Sequence, residues 1–218
     1  MSCSTLSVDY LWRGRCVYND IYREMRLYTH SRNAQSPDQF WLLEHEAVYT
    51  QGRRPATSDI VKGTGSIPIV ASDRGGLMSY HGPGQAILYT LLNLRRIGIS
   101  LRAYIHILEE AVIILLARYG ISAQRMPGAP GIYVSQAKIA SLALSSYQGC
   151  CYHGVALNVD MDLMPFDSII PCGLEGIKMT QVANYDVHLD IADACYQLAD
   201  ILASQLNLHN KNNVIFSS

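Results

Sequence analysis

The sequence predicts an α+β fold, and three features predict it. Helical periodicity appears in three segments that are far apart in the chain. Between them lie short apolar runs rich in β-formers, bounded by glycine, proline and polar residues. Hydrophobic residues make up 49% of the 218 and charged residues 16%, enough to build a substantial core.

Taken in order, residues 20–33 place Ile21, Met25 and Tyr28 on one helical face, with Asn19 or Asp20 as the cap. "FWLLE" (40–44) and "AVYTQG" (47–52) read as strands. Residues 53–66 read as a polar loop, and "IPIV" (67–70) as a short strand leading into a glycine-rich stretch. "AILYTLL" (86–92) reads as a buried strand. The clearest helix runs from about Ser100 to Tyr119. Leu101, Ile105, Leu108, Val112, Leu115 and Tyr119 form its stripe, Ser100 caps it and Gly120 stops it. Strands follow at 131–134, 138–147 and 151–159. A last helix near 190–206 buries Ile191, Ala194, Leu198, Ile201 and Leu202, and the tail from 209 is expected to be loosely held. No repeat or linker divides the chain, so one domain is expected over 1–218, with its core at about 10–207.

The global numbers exclude several classes. A net charge of −1 gives no field for nucleic acid. The longest apolar run, 111–117, is too short to span a membrane. The N-terminus lacks the charge-then-apolar order of a signal peptide, and six cysteines do not form a disulfide scaffold. A cytoplasmic location is expected. Neither G-x-x-x-x-G-K-[ST], G-x-G-x-x-G, H-E-x-x-H nor C-x-x-C occurs, so no cofactor is expected. Cys150, Cys151 and His153 are close in sequence, but they read as buried residues of a strand and no metal site is expected.

The stretch "RGGLMSYHGPGQ" (74–85) holds four glycines in twelve residues. Glycine admits positive φ and close backbone approach, so the stretch reads as a strand end opening onto a ligand surface. Cys172 lies in "IIPCGLEG" between a proline and a glycine, a turn that lifts its side chain out of regular structure. It is the candidate nucleophile, against the alternative of a buried structural thiol. A nucleophilic thiol needs a nearby cation to lower its pKa, and the candidates are Lys138, Lys178, Arg74, His81 and His153. Lys138 stands out because "SQAKIASLAL" carries no other charge. Its plainer reading is a strand-edge lysine that discourages edge pairing.

Together, "LLEHEAVYTQGRR", "RGGLMSYHGPGQAILYTLLNL", "KIASLAL", "YHGVALNVDMDL" and "IIPCGLEGIKMTQV" resemble, in order, the lipoyl(octanoyl) transferase family. The resemblance implies a biotin/lipoate protein ligase-like catalytic domain, a mixed β-sheet with flanking helices. It implies transfer of an octanoyl group from acyl carrier protein to a lysine of a lipoyl domain, in 2-oxoacid dehydrogenases or the glycine cleavage H-type protein. Carried over by residue, it places the nucleophile at Cys172 and its lysine partner at Lys138. Substrate contacts fall on Arg74, Gly75, Gly76, Leu77, Met78, Ser79, Tyr80 and His81, on Ser141, Leu142 and Ala143, and on Gly154, Val155 and Ala156. Ser79 and Ala143 depart from the family's usual threonine and glycine, and the added methyl at 143 bears on acyl-length preference. Two other readings compete. An ATP-dependent lipoate- or biotin-type ligase would not need the cysteine. A non-catalytic acyl or lipoyl-domain binding protein would need neither Cys172 nor Lys138.

Overall fold

The computed structural model describes residues 6–54, 63–169 and 177–211. Eleven strands and four α-helices are found among them. In chain order they are β1 (Ser7–Cys16), α1 (Tyr18–Ser31), β2 (Asp38–His45), β3 (Val48–Gln51), β4 (Ile69–Ala71), β5 (Met78–His81) and β6 (Gln85–Asn93). Then come α2 (Leu94–Ile97), α3 (Leu101–Arg118), β7 (Ala123–Met126), β8 (Ala129–Val134), β9 (Ala137–Tyr147), β10 (Cys150–Asn158), α4 (Ile191–Gln205) and β11 (His209–Asn210).

Eight strands form one mixed sheet in the order β11-β1-β2-β6-β10-β9-β8-β7, and β4-β3-β5 form a smaller one. The large sheet is parallel at β11-β1-β2 and antiparallel from β2 to β7. It is buried on both faces, so its central strands read as continuous apolar runs rather than alternating ones. Phe40, Leu42, Leu88 and Leu92 face α3 and α4, while Trp41, Leu43, Ile87 and Leu91 pack with Ile21 and Met25 of α1. Each such side chain taken out of water contributes roughly 1.5–3 kcal/mol.

The helices form where periodicity and capping predict, with three corrections. The first helix begins at Tyr18 with no side-chain cap, not at Asn19 or Asp20, because β1 runs to Cys16 and only Val17 intervenes. In α3, Ser100 does cap Ala103 N–H at 3.2 Å and Gly120 turns the chain at φ +73°. Its predicted stripe divides, however: Leu108, Val112 and Leu115 are buried, while Leu101 and Ile105 are over a third exposed and Tyr104 takes the buried face. The tail is not loose through residue 210. Leu208 is buried, and β11 pairs in parallel with β1, Ser7 with His209 and Val8 with Asn210. The strand β1 is an addition to the predicted elements, with Val8 and Tyr10 buried and alternating with more exposed neighbours.

Candidate active site

Strand register assembles the site. Antiparallel pairing of β9 with β10 sets Ser141 opposite Ala156, Leu142 opposite Val155 and Ala143 opposite Gly154. The glycine-rich stretch docks on the same strands, since Gly75 N–H donates to the Leu144 carbonyl at 3.2 Å. Three strips separated by up to eighty residues thus share one cavity of about 710 Å³. Arg74, Gly75, Gly76, Leu77, Met78, Ser79, His81, Ser141, Leu142, Ala143, Gly154, Val155 and Ala156 all line it. Tyr80 does not. Alternation along β5 turns it into a separate cluster, edge-on to Phe166 with ring centroids 5.3 Å apart.

Arg74 lines the cavity but spends its guanidinium on structure. Nε and Nη2 donate to Thr50 Oγ1 at 3.0 and 2.8 Å, and Nη1 to the Gly75 carbonyl at 3.0 Å. It clamps the glycine-rich loop onto β3. Gly76 takes φ +87°, a left-handed conformation open to glycine.

Lys138 is only 1% exposed and lies on β9, an interior strand, so it does not guard a sheet edge. Its Nζ donates to the Pro130 carbonyl at 2.7 Å and lies 5.9 Å from the Tyr133 ring centroid. The side chain crosses Gly131, where an added Cβ would come within 2.4 Å of Lys138 Cε and 2.9 Å of Nζ. Pro130 and Gly131 line one part of the cavity, so the ammonium is bonded to a residue of that wall, although Lys138 is not itself among the lining residues. The backbone of Lys138 also holds the strip that follows Cys172: Lys138 N–H donates to the Lys178 carbonyl at 2.8 Å, and Thr180 N–H to the Lys138 carbonyl at 2.9 Å. Cys172 itself lies outside the described residues.

Three of the other described cysteines, Cys16, Cys151 and Cys195, are poor nucleophiles. Burial pushes the Cys151 and Cys195 thiols up to about 12, and burial also raises Cys16. Cys150 and Cys151 are buried in β10 as the strand pattern implied, and no His/Cys/Asp/Glu cluster able to hold a metal is found among the described residues.

Away from Lys138 the cavity runs into aromatic rings and buried histidines that the sequence reading did not bring together. Tyr18, Tyr89, His81 and His153 line it, and Leu101 and Ile105, the exposed half of the α3 stripe, form another wall. His153 takes φ +64° within β10 and donates Nε2–H to Asp73 Oδ1 at 3.0 Å. Burial alone would raise Asp73, but the hydrogen bonds from His153 and Tyr152 and the charge of Arg26 outweigh it and hold the carboxyl at about 2. Burial lowers His153 despite that carboxylate. His45 faces the Cys16 carbonyl through Nδ1 at 3.1 Å and Tyr89 Oη through Nε2 at 2.8 Å. A carbonyl only accepts, so Nδ1 carries the proton and Nε2 accepts from the tyrosine. Burial lowers His45 to about 4 and His81 to about 3. The signal available in the sequence was position: Asp73 adjoins the glycine-rich stretch, and Gln85 ends it.

The model of the family described as "Lipoyl protein ligase A/B catalytic domain" matches residues 18–203. The chain belongs to this family. It is 47% identical over 197 residues to a protein of Dechloromonas aromatica named "Octanoyltransferase", covering 90% of this chain and 96% of that one. It is 46% identical over 200 residues to a protein of the same name in Chromohalobacter salexigens, covering 88% of each. Among solved structures it is similar to lipoate-protein ligase A bound with ATP, with a TM-score of 0.79 at 14% identity, over 94% of this chain and 88% of that one. The last likeness concerns the fold alone, and it is the fold the family resemblance implied. No helix among the described residues is long and apolar enough to cross a membrane.

Proposed function

We propose that this chain is an octanoyltransferase acting through a covalent intermediate on Cys172, with Lys138 as the cation that ionises it. One observation carries the reading. The three strips predicted to bind acyl substrate line one cavity, the buried Lys138 is bonded to the carbonyl of Pro130 in its wall, and the segment on from Cys172 is hydrogen-bonded to the Lys138 backbone. Ile169 and Lys178 bracket the cysteine in sequence at three and six residues.

The chemistry balances without an activating nucleotide. Cys172 Sγ, as thiolate, attacks the carbonyl carbon of octanoyl-carrier thioester. The tetrahedral oxyanion collapses, the carbon–sulfur bond to the carrier breaks, and the carrier thiol takes up the proton that Cys172 lost. A lysine amine of the lipoyl domain then attacks the new thioester. Its nitrogen bonds to the carbonyl carbon and loses one proton, while the bond to Sγ breaks and the sulfur is reprotonated. Two half-reactions through an acyl-enzyme imply ping-pong kinetics. Backbone N–H groups at the rim of the site are the economical donors for the oxyanion. The partners are therefore an acyl carrier protein and lipoyl domains, with those of 2-oxoacid dehydrogenases and the glycine cleavage H-type protein as the specific acceptors.

Intact mass spectrometry after mixing the protein with octanoyl-carrier protein, without ATP, tests this. An octanoyl adduct that maps to Cys172 and is discharged by a lipoyl domain is expected. An adduct on another cysteine overturns the site. Transfer only with free octanoate and ATP favours the ligase reading, which the fold shared with an ATP-bound ligase keeps in view.

A further inference from the structure

Asp73 joins two walls of the cavity. It directly precedes the glycine-rich stretch that forms the side wall, and its carboxylate holds His153, which stands at the end away from Lys138. Oδ1 accepts from His153 Nε2–H at 3.0 Å. Oδ2 accepts from Tyr152 Oη at 2.6 Å and pairs with Arg26 Nε at 3.3 Å. The backbone of the same residue is tied down on both sides. Its N–H donates to Tyr22 Oη at 3.1 Å, and its carbonyl accepts from Ser145 Oγ at 3.0 Å. One residue thus links α1, β9 and β10 to the loop.

His153 needs such a hold. Its backbone sits at φ +64°, a left-handed conformation that costs a residue with a side chain free energy and persists only where the surroundings enforce it. Its ring stacks with those of Tyr22 and Tyr152, at centroid distances of 5.8 and 5.1 Å. Stacked rings tolerate lateral offset. The hydrogen bond to Asp73, the one bond its ring makes among the described residues, therefore decides where the imidazole stops. Neither Tyr22 nor Tyr152 lines the cavity.

We propose that Asp73 is a positioning residue that sets acyl length: it locks the glycine-rich side wall to the His153 end wall, so that the cavity stops a chain at a fixed depth. This deepens the octanoyl-transfer reading above and rests on it. The carboxylate makes charge-assisted bonds, which are stronger than neutral ones. Because a single residue holds both walls, their separation stays constant when a longer chain presses on the end.

Two measurements separate this proposal from the reading it rests on. The first needs no turnover. Calorimetric titration with straight-chain alkanoic acids, from hexanoic to tetradecanoic, should show wild-type affinity rising about fourfold per methylene and falling beyond octanoic acid. Asp73→Ala should carry that rise on to decanoic or dodecanoic acid. Asp73→Asn should keep the wild-type limit, because its Oδ1 accepts from Tyr152 and its NH₂ donates to Nε2 of the other His153 tautomer. The second measurement is acyl-enzyme formation from carrier thioesters of the same lengths. The ratio of dodecanoyl to octanoyl rates should rise at least about tenfold in Asp73→Ala, the worth of about two further buried methylenes. The double variant Tyr22→Phe, Tyr152→Phe removes two hydroxyls that hold Asp73 without changing a lining residue. It should shift the limit in the same direction, and it serves if Asp73→Ala does not fold. A limit unmoved in these variants, or every chain weakened by one factor, overturns the proposal and leaves Asp73 a stabilising residue. Wild-type binding without a length limit also overturns it. A wild type that shows the limit but forms no acyl-enzyme counts against the octanoyl-transfer reading instead and supports the depth limit.

Discussion

At the scale of single residues, Lys138 shows how a sequence feature acquires meaning from burial. A lysine in an apolar strand has two ordinary outcomes, snorkelling to water or guarding an edge. Neither applies, because β9 is interior and the ammonium is held by the Pro130 carbonyl over the bare backbone of Gly131. Lys138→Ala should raise the Cys172 thiol pKa, and iodoacetamide labelling at pH 7 should slow by about tenfold per unit, or about 1.4 kcal/mol. An unchanged labelling rate would return Lys138 to a structural role. Cys172→Ser should abolish transfer with the fold intact, since a serine hydroxyl is not ionised by a neighbouring ammonium at neutral pH. Octanoyl transfer at near wild-type turnover would count against the assignment.

At the scale of elements, paired strands β9 and β10 and the docked glycine-rich loop form a trough of definite length. From the Ser141–Ala156 pair to the Leu144–His153 pair is three residues, about 10 Å along a strand. Extended single bonds of about 1.5 Å give an eight-carbon chain a span of about 9 Å. Tyr89 and His153 stand at the far end. Each methylene buried contributes roughly 0.8 kcal/mol, so acylation should strengthen from butanoyl to octanoyl donors and fall for chains that overrun the rings. A C4–C16 donor series read by acyl-enzyme formation checks this. Gly75 is the cleaner wall position to fill: Gly76 needs its positive φ, whereas a Cβ at Gly75 meets only the Leu144 carbonyl at 3.5 Å. Gly75→Val should therefore hinder long donors more than short ones, and Ala143→Gly should widen the accepted range. If Gly75→Val slowed every donor by one factor, the loop would not be an acyl wall.

For the whole molecule, the cost of the site appears as acid sensitivity. His45, His81 and His153 are buried, and burial depresses all three below the ordinary value of 6.5. The unfolded chain takes up protons at these positions before the folded one does. Stability should therefore fall as pH drops below about 6.5 and keep falling towards about 4 for His45 and about 3 for His81. Asp73 acts in a lower window. Its stabilising pairing is complete above its ordinary value of 3.8 and is lost as pH falls through about 2. Urea midpoints measured from pH 7.5 to 4 should decline steadily, and His45→Gln should flatten the upper part of the curve. A midpoint independent of pH over that range would show that the imidazoles are solvated in the native state.

The sequence by itself determined most of the element types, the family, and which strips would be gathered along one cavity. Those properties are local: periodicity, capping residues, apolar runs and spaced motifs all survive in one dimension. Legibility failed where the deciding partner is remote. Tyr80 carries the same motif as His81, but alternation along β5 sends it elsewhere, and that depends on which face of the strand is covered. Leu101 and Ile105 read as core and instead wall the cavity, over a third exposed, while Tyr104 takes the buried face. Asp73 and Gln85 carried only the signal of position beside the glycine-rich stretch, and His45 and Asn158 carried none of their own. Only the tertiary structure decided them, because a buried polar group takes its role from the partner that satisfies it. For Asn158 that partner is the Thr180 carbonyl, and for Gln85 it is the side chains of His81 and Asn158, none of them near in sequence except His81.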